Sequence, residues 1–99
     1  MPLSNPFGVV AAMVTQSVLS KTVTIQYVAV LREQAQRSSE VLQTSAANYL
    51  ELYQQLQAKY GFSLAAEDVK VAVNHEFCDL TRPIDEGALV VFIPPVCGG

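Results

Sequence analysis

Residues 88–93 read ALVVFI, six apolar side chains in a row, and Pro94-Pro95 follow at once. A run this short and this uniformly apolar is a strand in the middle of a sheet with a helix over one face. Neither proline can donate a ladder hydrogen bond, so the sheet has to stop there. The rest of the chain must therefore supply flanking strands and a helical cover.

The flanking strands are legible by period. In KTVTIQYV, Val23, Ile25 and Tyr27 fall on one face and Thr22, Thr24 and Gln26 on the other, the pattern of a half-buried strand. Val28 interrupts it by placing an apolar residue on the polar face. AVLREQAQRSSE reads as a short helical turn or loop, and EVLQT as a second strand, close enough to pair with the first as a hairpin. EDVKVAV gives a third strand with Val69, Val71 and Val73 on one side; NHE makes a turn, and Phe77-Cys78 opens a short fourth strand. TRPIDEG is a polar loop punctuated by Pro and Gly.

One segment supplies the cover. Tyr49, Leu52, Tyr53, Leu56 and Tyr60 form a stripe at helical spacing. Asn48 and Glu51 stand at capping-box positions, and Gly61 stands where a helix stops. The tyrosines are expected to be core-edge residues, apolar in body and polar at the tip, with no catalytic use. The resulting order is strand, strand, helix, strand, short strand, strand. It predicts an α+β, ubiquitin-like β-grasp fold: a mixed sheet with one main crossing helix and an extended C-terminal tail. The expected division is an N-terminal extension (1–20), a β-grasp domain (21–93) and a reactive tail (94–99).

Composition narrows the function. A chain of 99 residues is one domain. It buries only roughly 60–65% of its unfolded surface, which leaves no room for a deep catalytic pocket. With a net charge of −3 and scattered Lys and Arg, it has no basic stripe for nucleic acid. A mildly acidic surface suits a partner with a basic or apolar docking face. Cys78 and Cys97 read as reduced thiols in a cytoplasmic protein, and two Cys with the single His75 have no metal-ligand spacing. His75 is expected to be a turn residue and Cys78 a small hydrophobe in or beside the sheet. No phosphate loop, nucleophile elbow or carboxylate pair is present. The first twenty residues contain FGVVAAMV but no charged n-region, and the run is too short to span a membrane. They read as an extension without an interpretable motif, with a cleaved leader and a true start at Met13 as the alternatives.

The last eight residues, FIPPVCGG, carry the functional signal. Pro94-Pro95 hold the chain extended as a stiff spacer. Gly98 and Gly99 have no Cβ and can thread a partner's tunnel too narrow for a side chain. What remains to react is the Gly99 carboxylate, a poor electrophile until another enzyme activates it, for instance as an acyl-adenylate. A sulfur source could then convert it to a thiocarboxylate, a nucleophile held on a recognisable protein handle and positioned by the partner's pocket.

Phe92 to Gly99 resembles the C-terminal signature of the small subunit of molybdopterin synthase, in the MoaD branch of the MoaD/ThiS sulfur carriers. The resemblance extends over residues 22–99. YVAVLREQA (27–35) is similar to the end of that family's first strand, VAVNHEF (71–77) to its strand-turn, and DEGALVVF (85–92) to its lead into the tail. The resemblance implies a sulfur-donating subunit that is no enzyme on its own and binds no cofactor. An E1-like adenylyltransferase would use MgATP to adenylate Gly99, and a sulfurtransferase system would make the thiocarboxylate. The tail would enter the large synthase subunit in a heterotetramer and donate sulfur to cyclic pyranopterin monophosphate. Gly98 would thread the tunnel, while Pro94, Pro95 and Val96 would align the tail. By alternation Val90 and Phe92 point to the core with Ile25 and Tyr27, while Ile93 points outward, so Val28, Ile93 and Phe77 would form an apolar docking patch on the sheet's free face, with Arg32 as a polar rim contact. The long N-terminal extension departs from the family pattern, as does Cys97, where Ala or Thr is more usual. A thiazole-synthesis carrier of the ThiS type shares the Gly-Gly end but usually lacks Pro-Pro. A ubiquitin-like modifier joined to lysines through Gly99, and a passive adaptor with an idle tail, are the other readings.

Overall fold

The structure, a computed structural model, describes residues 20–95. The chain runs β1 (Lys21–Tyr27), α1 (Ala29–Ala35), β2 (Ser39–Thr44), α2 (Tyr49–Tyr60), a single 3₁₀ turn (Ala66–Asp68), β3 (Lys70–Val73), β4 (Glu76–Cys78) and β5 (Leu89–Ile93). The five strands form one sheet in the order β2-β1-β5-β3-β4. The ALVVFI segment is thus the central strand, parallel to β1 and antiparallel to β3. The β1–β2 hairpin is antiparallel, with Val23 opposite Leu42 and Ile25 opposite Glu40. This mixed sheet with its crossing helix is the β-grasp arrangement expected from the element order.

Alternation assigns the faces. Val23, Ile25 and Tyr27 of β1, Val71 and Val73 of β3, and Val90 and Phe92 of β5 are all buried. They form one core with Tyr49, Leu52, Tyr53 and Leu56 of α2. The covering helix is fixed at both ends. Asn48 Oδ1 accepts from the Glu51 amide at 2.9 Å, which satisfies one of the orphan first-turn donors. The Glu51 carboxylate does not return to the cap residue, as a capping box requires; it accepts from the Ala47 amide, one residue earlier. Gly61 closes the helix at φ +72, where a side chain would be strained, and donates to the Gln57 carbonyl at 2.8 Å.

Two expectations change. The stretch after β1 is a two-turn helix, because Leu31 and Ala35, four apart, both reach the core. Two of the three α2 tyrosines are deeper than core-edge residues, while Tyr60 lies partly buried at the edge as expected. Tyr49 and Tyr53 are fully buried, and each hydroxyl has a partner. Tyr49 Oη accepts from the Asp85 amide and Tyr53 Oη donates to the Leu64 carbonyl. Burial raises the pKa of both.

Glu40 ties β1, β2 and α2 together. Its side chain is only 8% exposed. One carboxylate oxygen accepts from the Tyr27 hydroxyl at 2.5 Å and the Tyr60 hydroxyl at 2.6 Å. The other faces Arg37 at 2.8 Å and Lys59 at 3.6 Å. The rings of Tyr27 and Tyr60 meet edge to face at 5.8 Å. Burial alone would raise the Glu40 pKa. The two phenol donors, with Lys59 and Arg37, outweigh it and hold the carboxyl below its ordinary value of 4.5. The same contact, after burial, pushes the Tyr27 phenol far above the tyrosine range.

A carboxyl whose pKa is lower in the folded state stabilises the fold above its unfolded value, and that contribution is lost as pH falls through the folded value. Urea unfolding should therefore show stability falling below about pH 4.5, partly because Glu40 takes up a proton. Glu40→Gln should lower stability at neutral pH by about 1–3 kcal/mol, by weakening charge-assisted bonds, and should flatten this acid limb. An unchanged acid limb in the variant would show that Glu40 does not carry it.

Candidate functional site

The side of the sheet away from α2 carries no helix among the described residues. Strand parity places Thr22, Thr24 and Gln26 of β1 there, with Ser39, Val41 and Gln43 of β2, Lys70 and Ala72 of β3, Phe77 of β4, and Leu89, Val91 and Ile93 of β5. Of these twelve strand positions only Lys70 is charged. Val41 and Phe77, each 68% exposed, are the two most exposed large hydrophobics described. Leu89, Val91 and Ile93 are half-buried and form an apolar column along the central strand. The register sets Phe77, Ala72, Val91 and Gln26 in one row across the sheet, and Leu89, Thr24 and Val41 in the next.

The sequence-predicted docking residues fall in two places. Val28 follows the Tyr27–Phe92 pair, so its parity continues the free face beside Ile93. It is also the extended N-cap residue of α1, and its carbonyl accepts from the Leu31 and Arg32 amides at 3.1 and 3.4 Å. Arg32 is therefore one turn along the helix, exposed at the same end of the sheet. Pro94 and Pro95 continue directly from Ile93, half-buried and exposed respectively. Val28, Ile93, Pro94 and Pro95 thus lie where β5 leaves the sheet, and Arg32 stands on the helix that starts there. Phe77 stands apart on edge strand β4, joined to the column through Ala72 and Val91. Val96, Gly98 and Gly99, like Cys97, lie outside the described residues.

Leu89, Val91 and Val41 belong to this face and escaped sequence reasoning. Leu89 and Val91 share the parity of Ile93, which alternation places outward with Val90 and Phe92 inward, so the same count carried back along the strand reaches both. Val41 stands on the outer side of β2 between Glu40 and Leu42, which both point inward toward α2.

The start of β5 is held firmly. Asn74 Oδ1 accepts from the Leu89 amide at 2.9 Å, while the Asn74 amide donates to the Leu89 carbonyl at 2.9 Å. The Thr24 amide donates to the Ala88 carbonyl at 2.9 Å and the Gly87 amide to the Thr22 carbonyl at 2.7 Å. Gly87 adopts φ +75, a conformation that disfavours any Cβ. Asn74 and His75 both have positive φ, 51° and 75°, so His75 is a turn residue at the β3–β4 hairpin. Cys78 is partly buried and faces the core side of β4, as a small hydrophobe would. No group of three or more His, Cys, Asp or Glu able to hold a metal occurs among the described residues. None of their helices is long and apolar enough to cross a membrane.

Residues 25–99 match the model of the ThiS family. The chain belongs to that family, the ubiquitin-like sulfur carriers of the MoaD/ThiS type. The match begins inside β1 and runs through β5 to Gly99, leaving residues 1–24 outside it. No curated protein matches significantly. Among solved structures, a Pyrococcus furiosus protein assigned as molybdopterin converting factor, subunit 1, superposes with a TM-score of 0.64 at 20% identity, covering 77% of this chain and 99% of that one. Small archaeal modifier protein 1 from Haloferax volcanii superposes at 0.65 with 17% identity, covering 77% and 99%. A complex of subunits 1 and 2 of molybdopterin-converting factor from Helicobacter pylori gives 0.53 at 28% identity, covering 79% and 99%.

Facing assignments on β5 have separate energetic signatures. Val90→Ala should destabilise by about 2–3 kcal/mol, since Val90 is fully buried against α2 and its loss leaves a cavity. Val91→Ala should stay within about 1 kcal/mol, because no described element packs over its free-face side. Chemical denaturation of both variants measures the difference, and equal losses would reject the assignment of faces.

Proposed function

We propose that this protein is the sulfur-carrier subunit of a molybdopterin synthase. The observation that carries the reading is continuity. A single family match runs from β1 to Gly99, and the central strand of the sheet leads straight into Pro94-Pro95 and the Gly-Gly end. The Helicobacter pylori neighbour, a complex of subunits 1 and 2 of molybdopterin-converting factor, supports a large-subunit partner for this chain as well.

In this reading the Gly99 carboxylate attacks the α-phosphorus of MgATP on an E1-like adenylyltransferase, releasing pyrophosphate and leaving an acyl-adenylate. A sulfur nucleophile delivered by a sulfurtransferase system displaces AMP, and the tail becomes a thiocarboxylate. Gly98 and Gly99 enter the large subunit's pocket, where the thiocarboxylate donates sulfur to cyclic pyranopterin monophosphate. Two donations in succession build the dithiolene. Pro94, Pro95 and Val96 keep the tail extended, so less conformational freedom is lost on insertion. Val28, Ile93 and the Leu89–Val91 column form the apolar centre of the docking face, with Arg32 at its rim and Phe77 at its far edge. The chemistry belongs to the complex, and the protein works in the cytoplasm, where ATP and sulfur donors are at hand.

A second reading rests on the Haloferax volcanii modifier, whose structure superposes somewhat better than the Helicobacter pylori complex. In that case the activated Gly99 would be passed to lysines. Pro94-Pro95 favours the molybdopterin branch over a thiazole carrier.

Intact-mass spectrometry after incubation with an adenylyltransferase, MgATP and sulfide tests the carrier reading. The expected product is heavier by the exchange of one oxygen for sulfur, and deleting Gly99 should abolish the gain. With cyclic pyranopterin monophosphate and the large subunit added, the thiocarboxylate form should yield molybdopterin. No gain with a competent activating enzyme would overturn the carrier role. Lysine-linked adducts in lysate with ATP would move the assignment to the modifier.

A further inference from the structure

The free face of the sheet and the residues that precede β1 are complementary in composition. Residues 1–20 contain no Asp, Glu, Lys or Arg, and residues 7–14 read FGVVAAMV. The free face has one charge among its twelve strand positions, Lys70, and the register puts it opposite Ile93 at the far end. An uncharged apolar segment laid over Leu89, Val91 and Val41 would bury no unpaired charge, which removes the largest desolvation cost of covering the face.

The position at which the chain enters the sheet makes the contact reachable. β1 and β5 are parallel, so residue 20 lies at the end where β5 begins, opposite the end where Pro94-Pro95 leave. Residues 14–20 can span up to about 23 Å when extended, whereas the neighbouring strand lies only about 4.8 Å away and a five-residue strand is about 16 Å long. The segment can turn back and run the length of β5. Thr24 carries a short side chain between Val41 on one flank and Leu89 on the other, which leaves room over it for larger apolar side chains. A tethered segment also holds a high effective concentration over its own face compared with any free competitor.

We propose that Phe7–Val14 cover the free sheet face of the isolated protein, resting on Val41, Thr24, Leu89 and Val91. A macromolecular partner that docks on this face displaces the segment first. The extension then acts as an intramolecular competitor: it shields an apolar surface and lowers the apparent affinity of every ligand of that face by the fraction of time the face is covered, so that only a partner with binding energy to spare displaces it.

The test compares amide resonances of the ¹⁵N-labelled full chain with those of the same chain carrying Phe7→Asp and Val10→Asp. Shift changes should cluster at Thr24, Val41, Leu89 and Val91, distant in sequence from the substitutions. Deleting residues 1–19 should reproduce that cluster, since every buried core residue described lies between Val23 and Phe92 and the shortened chain keeps its core. Changes confined to the segment and to residues 20–23 would overturn the proposal. So would free-face shifts that vary with dilution equally in wild type and variant, which would give the face to a second copy of the chain.

Discussion

The pairing of β5 with β1 is the constraint on which the rest of the molecule depends. β5 is the last strand in sequence and the middle strand in space. Without it, the β1–β2 hairpin and the β3–β4 hairpin are two separate ribbons with no shared sheet, and two-stranded ribbons are marginal in water. The parallel contact between Thr24 and Leu89, or Tyr27 and Phe92, closes a loop of some sixty-five residues. Closing it costs chain entropy that local contacts cannot offset, so the core under α2 and the sheet must form together. The hydrogen bonds from Asn74 and Gly87 fix where β5 starts, and thereby which of its side chains face inward.

The helix over the sheet depends on a second, polar constraint. The aromatic side chains Tyr27, Tyr53, Tyr60, Phe62 and Phe92 lie in successive ring contacts between 5.2 and 6.0 Å. Such a cluster supplies much apolar burial and little directional specificity. Glu40 adds direction: it accepts from one tyrosine of the sheet and one of the helix, and its position on β2 sets how the end of α2 sits over the hairpin. A carboxylate is retained at a mostly buried site because every neighbour can donate to it or carries opposite charge.

The architecture was legible in the sequence because its signals are strong and of different period. The alternation in KTVTIQYV, the stripe from Tyr49 to Tyr60 and the Pro-Pro stop each admit one local structure. The central position of ALVVFI followed from its uniform hydrophobicity. Alternation also assigned its faces, with Val90 and Phe92 inward and Ile93 outward, as the burial pattern has them; Leu89 and Val91 were passed over because the count outward from Ile93 was not carried back along the strand. Glu40 was missed for a different reason. In EVLQT it reads as an ordinary polar strand residue, and its partners Tyr27 and Tyr60 are thirteen and twenty positions away. Alternation alone does place it inward, and an inward carboxylate is the signal that something must pair with it.

The two ladders that flank β5 have a mechanical meaning as well. A force applied along residues beyond Ile93 pulls β5 lengthwise, between a parallel neighbour and an antiparallel one. Both rows of hydrogen bonds are then loaded in shear and must break together; a strand peeled from a sheet edge would lose them one at a time. An edge strand in the same place would unzip under the same tug. The body is therefore a stiff handle, and a partner that grips and draws on the tail moves the whole domain before it unravels any part of it.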